Sequence, residues 1–143
     1  MSDDREERSR SGGFARDVLP ALAWTALIFL LGSVPTPEFP DAPGIPTDKL
    51  GHALVFGVLQ LLGARALRFA RAGGSRRSNA WLAALFSTLV GGALELWQLA
   101  LPHRSGELLD LAADAFGAVV AALVVGRSSN RALPARPPEA PAR

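Results

Sequence analysis

The sequence predicts an all-α protein, an integral membrane four-helix bundle with both termini on the cytoplasmic side. Three observations carry this reading. Four apolar stretches, Val18–Val34, Leu50–Leu67, Ala80–Leu101 and Leu108–Val125, each approach the ~20 residues that cross hydrocarbon as a helix. None alternates with period two, as a half-buried strand would. The basic residues are sorted, with thirteen of the fifteen falling in the two termini and the Arg65–Arg77 stretch, and only Lys49 and Arg104 elsewhere. Short loops rich in Arg stay cytoplasmic.

Each element follows in order. Residues 1–16 form a polar, cytoplasmic N-terminal tail. Val18–Val34 carries no charge, whereas a helix of a water-soluble bundle would show a charged outer face at 3.6 spacing. It reads as an uncleaved first helix, because Gly32-Ser33-Val34 is a poor signal-peptidase site. Pro20 is tolerated near its start, where the first turn lacks a partner for its N–H anyway. Pro35, Pro37, Pro40, Pro43 and Pro46 make the segment to Thr47 a stiff extended strap outside the membrane. Thr47 or Asp48 then caps the second helix. Gly73-Gly74-Ser75 marks the basic inner loop, and Ala80–Leu94 again has no charge. The second outer loop spans about Pro102–Glu107. Residues 17–126 form the transmembrane domain, and 127–143, rich in Pro and Arg, form a disordered cytoplasmic tail.

Composition narrows the function classes. Hydrophobic residues make up 49% of the 143, and cysteine is absent. Disulfides, thiol chemistry and Cys-ligated metals are therefore excluded. No basic region is interleaved with aromatics as a base-stacking platform would be, so nucleic acid is not an expected partner. Membrane lipids are.

The polar residues of the last three stretches converge. Asp48 and His52 are four apart and share a helix face, and Gln60 lies deeper near that face. Glu95 and Gln98 share a face of the third helix, flanked by Ser87, Thr88, Gly91 and Gly92. Small residues let helices approach closely in lipid. Asp110 and Asp114 share a face of the fourth helix, continued by Gly117, Ala118, Ala121 and Ala122. Given the topology, Asp48, Lys49, His52, Glu95, Gln98, Arg104, Asp110 and Asp114 all lie within about two ~5.4 Å turns of the outer surface. Ionisable residues at membrane depth mark function by default. Glu95 carries the most weight, as a carboxylate inside a long apolar helix.

The candidate acid–base residues are Glu95, His52 and Asp48, with an Asp–His pair to orient an imidazole and Glu95 to move a proton. Lys49, Gln98, Arg104, Asp110 and Asp114 are the candidate substrate-binding residues, with Lys49 and Arg104 suited to an anionic headgroup. The bland readings are an N-cap for Asp48, an interfacial anchor for Lys49, a pairing of Arg104 with Asp110, and an incidental His103. Trp24, Trp81 and Trp97 suit interfacial belts or packing. No nucleophile stands beside His52. The spacing matches no metal signature, and no metal or cofactor is assigned.

Taken in order, Asp48-Lys49-x-x-His52, Glu95-x-x-Gln98, Arg104, Asp110 and Asp114-x-x-Gly117 resemble the VanZ-like family over roughly residues 18–126. Where many members carry Asn, this chain has Asp114. The resemblance implies a small multi-pass protein of the bacterial cytoplasmic membrane and cell envelope. The family's namesake is associated with resistance to the glycopeptide teicoplanin. Four functions are open at this point. One is an envelope accessory protein that binds a lipid-linked precursor or a glycopeptide. The second is an intramembrane hydrolase or transferase acting on a lipid-linked substrate. The others are a small proton-coupled transporter and a purely structural polar knot.

Overall fold

A computed structural model describes residues 11–35, 47–71 and 73–127. The Pro-rich strap, apart from Pro35 and Thr47, the first ten residues and the C-terminal tail beyond Arg127 lie outside the described residues. The described residues form four long helices: α1 (Leu19–Ser33), α2 (Thr47–Ala70), α3 (Arg76–Leu99) and α4 (Leu108–Arg127). Helical backbone already begins at Ser11, so the first apolar helix runs Ser11–Ser33 and takes in residues expected to belong to the N-terminal tail. All four helices are long and apolar enough to cross a membrane.

Local chemistry sets the helix ends. Pro20 sits in the first turn of α1, where its fixed φ suits the helix. Ser75 caps α3 by accepting the Ser78 N–H at 3.1 Å. Asp48 opens α2 and Arg68 closes it, while Asp110 opens α4 and Arg127 closes it. Each charge complements the helix dipole. Glu107 occupies the cap position of α4, its carbonyl accepting from Asp110 and Leu111.

α2, α3 and α4 pack mutually, whereas α1 lies against α2 and α3 and does not reach α4. Glycine sets the closest approach. A Cβ on Gly117 of α4 would run into the Ala53 carbonyl oxygen of α2. At Gly91 of α3 the space a Cβ would take is filled by the Asp114 carboxylate. Two apolar clusters complete the core: Ile28, Phe56, Leu59 and Leu94 join α1, α2 and α3, and Ala80, Ala84, Ala118 and Ala122 join α3 to α4.

The polarity is inverted relative to a water-soluble bundle. Gln60, Asn79, Ser87, Glu95, Gln98, Asp110 and Asp114 are buried, while Leu30, Leu89, Leu96, Phe116 and Val124 are exposed. The Thr47 end of α2, the Leu99 end of α3 and the Leu108 end of α4 fall together at one end of the bundle. The end of α1 joins them, as Gln98 donates to the Gly32 carbonyl at 3.2 Å. This is the polar end. The turn from Arg71 to Ser75 lies at the opposite end.

Candidate functional site at the polar end

Three helices meet in one layer of charge. Lys49 reaches from α2 across to α4, pairing with Asp110, with Glu107 at 2.8 Å and with Asp48 at 3.2 Å. His52, one turn deeper, holds its Nδ1 2.9 Å from Oδ1 of Asp114. Its Nε2 lies 3.9 Å from Oδ2 of Asp110. The imidazole therefore stands between both acids of α4. It also stacks at 6.4 Å on Phe56, which is buried below it. Glu95 enters from α3, where its Oε2 accepts the Glu107 N–H at 2.7 Å.

Several pairings expected from sequence are corrected here. Asp48 does not orient His52: it bonds Lys49 and its side chain is 65% exposed. The orienting acid is Asp114, from another helix, because the close approach at Gly117 brings α4 against this face of α2. Arg104 does not pair with Asp110. Its guanidinium donates instead to the Val34 carbonyl at 2.7 Å, closing the end of α1. The terminal carbonyls of a helix lack partners of their own, and a cation there also opposes the dipole. Gln98 likewise serves the backbone of α1 through Gly32. His103 is exposed, 2.9 Å from the Ser33 carbonyl. Trp97 donates to Ser33 Oγ at 2.8 Å and Trp24 to the Val55 carbonyl at 3.1 Å. Two of the three tryptophans therefore tie α1 to its neighbours.

Glu107 is the residue that sequence reasoning missed. It carries a ligand to Lys49 on its side chain and a donor to Glu95 on its backbone. The available signal was an acid immediately before the apolar run of α4, three residues from Asp110.

Bonding at this end is incomplete. Among the described residues, Oε1 of Glu95, Oδ2 of Asp114 and Nε of Arg104 are buried without a hydrogen-bond partner. A buried polar group left unmatched costs about 1–3 kcal/mol, and more when charged. Of these three residues, Arg104 lines a cleft of about 270 Å³ between α1, α2 and α3. Trp24, Leu27, Leu31 and Val55 furnish apolar wall. Asp48, His52, Gln98 and Arg104 furnish its polar part. In comparisons with known proteins, no family model, no curated protein and no solved structure matches the chain.

Proposed function

We propose that the chain is a VanZ-like, multi-pass protein of the bacterial cytoplasmic membrane whose polar end faces outward and binds the anionic headgroup of a lipid-linked envelope molecule. Membrane insertion is supported by the inverted polarity, with leucines outside and carboxylates inside. Sidedness is supported by the Arg-rich opposite end. The family reading is supported by the ordered motif whose members now share one layer, and the link to glycopeptides rests on that resemblance.

The observation that carries the binding reading is the cleft. An apolar groove suits a lipid chain, and Arg104 brings a buried, unpartnered N–H to its polar part. Guanidinium donors match phosphate oxygens well. The cleft lies beside α1, the least embedded helix, which lets a lipid enter from the side.

Native mass spectrometry of the detergent-solubilised full chain tests this, with polyprenyl phosphate compared against the neutral polyprenol. The phosphate should be retained at one per chain, and Arg104→Gln or Leu27→Trp should weaken retention about tenfold, since each good charge-assisted bond carries roughly that factor. Equal retention of both lipids, or of the phosphate by all three proteins, contradicts the reading. Sidedness is tested on intact cells. Ser105→Cys should react with an impermeant maleimide and Gly73→Cys should not.

A second reading is an intramembrane acid–base enzyme acting on the same lipid class, favoured by the His52–Asp114 pair at 2.9 Å. An acid on one ring nitrogen fixes the tautomer and orientation of the other. Under it, His52→Asn and Glu95→Gln abolish turnover of a polyprenyl diphosphate while leaving the lipid bound. Unimpaired turnover in both variants sinks it.

A further inference from the structure

The acids of the polar end divide into two sets. Lys49 forms ion pairs with Asp48, Glu107 and Asp110. Glu95 and Asp114 have no Lys or Arg partner among the described residues. Both are buried, 7% and 0% exposed. Each keeps one buried oxygen without a hydrogen bond. Two adjacent carboxylates in an apolar bundle call for a counter-charge beyond the one imidazole beside them.

The geometry points to a divalent transition-metal site at His52, Glu95 and Asp114, with zinc as its best-matched occupant. Each of the three residues offers one ligand atom, and these atoms lie within 4.8 Å of one another. Ligands held ~2.1 Å from zinc lie ~3.4 Å apart in a tetrahedron. His52 and Asp114 reach that spacing by opening about half an ångström from 2.9 Å, and Glu95 closes on them from within 4.8 Å. The metal then takes the place of the proton they share.

The ligand chemistry selects the metal class. One imidazole with two carboxylates suits zinc or manganese, whereas magnesium and calcium prefer oxygen alone. Three protein ligands leave a fourth position open, the arrangement of a zinc that works on a substrate. Supporting contacts are in place: Glu107 N–H holds the second oxygen of Glu95. Of the three, His52 lines the cleft, which puts one edge of the trio beside the headgroup site. A neighbouring trio, Asp48, His52 and Asp110, also has ligand spacing. It is filled electrostatically by the Lys49 ammonium, which bonds both of its acids.

This inference rests on the polar end being a working site, but not on the lipid, so the two readings fail separately. The test is equilibrium dialysis of zinc chloride against the chelator-stripped full chain, carried on a histidine-free tag in detergent without added lipid, with zinc and protein both quantified. Wild type should hold one zinc per chain at micromolar free metal. Glu95→Gln and Asp114→Asn should weaken it at least tenfold with helical circular dichroism unchanged, and His103→Ala should retain it. Zinc X-ray absorption on wild type should show one imidazole in a nitrogen and oxygen shell. No stoichiometric zinc in wild type overturns the site. So does zinc lost with His103→Ala, or an absorption spectrum without imidazole.

Discussion

The two ends of this bundle treat buried polarity in opposite ways. Below the polar end, through the middle of the bundle to its opposite end, polar side chains serve neighbouring backbone or balance one another. Gln60 donates to the Ala80 carbonyl at 3.1 Å and Ser87 to the Phe56 carbonyl at 3.1 Å. Asp17 is matched by Arg65 at 2.7 Å and Arg16 at 3.0 Å. The atoms left unpaired there, Gln60 Oε1 and Asn79 Nδ2, belong to neutral amides. At the polar end the unpaired atoms are carboxylate oxygens and a guanidinium nitrogen. Neutral groups that bond backbone hold helices together. Charged groups left short of partners inside an apolar bundle cost stability, and functional sites are where proteins carry such a cost.

The contrast can be broken or sharpened by substitution. The largest effect belongs to neither end but to the contact that brings α2 against α4. Gly117→Leu should prevent a monodisperse folded protein in size-exclusion chromatography, since even a Cβ there meets the Ala53 carbonyl. Folded Gly117→Leu would mean that α2 and α4 do not meet as described. Next comes Lys49→Met, which strands Asp110 and Glu107. Removing one partner of a buried pair costs about 3–5 kcal/mol. Lys49 is 25% exposed on its side chain, so about 2 kcal/mol is expected here, as a lowered midpoint in detergent melts. Ser87→Ala removes a single buried bond to backbone. It should cost about 1 kcal/mol and leave polyprenyl phosphate binding unchanged. If it weakens binding as much as Arg104→Gln, the polar end is not functionally separate from the bundle below it. Asp48→Asn should be the mildest, within about 0.5 kcal/mol, because exposed ion pairs contribute little.

Much of this was legible in the chain. The apolar runs located the helices within a few residues, apart from the early start of the first at Ser11, since length and hydropathy decide which segments can cross hydrocarbon. The polar layer was legible too: counting turns from each helix end put Lys49, His52, Glu95, Asp110 and Asp114 together. Partner choice was not. The i, i+4 spacing offered Asp48 to His52 because a sequence displays only neighbours on the same helix. Which acid faces the imidazole depends on how α4 is rotated and how near it comes, and Gly117 sets both. The alternative pairing of Arg104 with Asp110 fails for a related reason: its partners are backbone carbonyls of α1, which carry no side-chain signal at all. Glu107 escaped notice because half of its role belongs to its amide N–H.

The central claim is that the charge of Glu95 is not there to hold the bundle together. The direct measurement is the thermal unfolding midpoint of metal-free Glu95→Gln beside wild type. Glutamine keeps an oxygen for the Glu107 N–H and removes the unpaired charge. The midpoint should stay level or rise. A fall of more than about 5 °C, corresponding to roughly 1 kcal/mol, would make Glu95 a structural strut and contradict the claim.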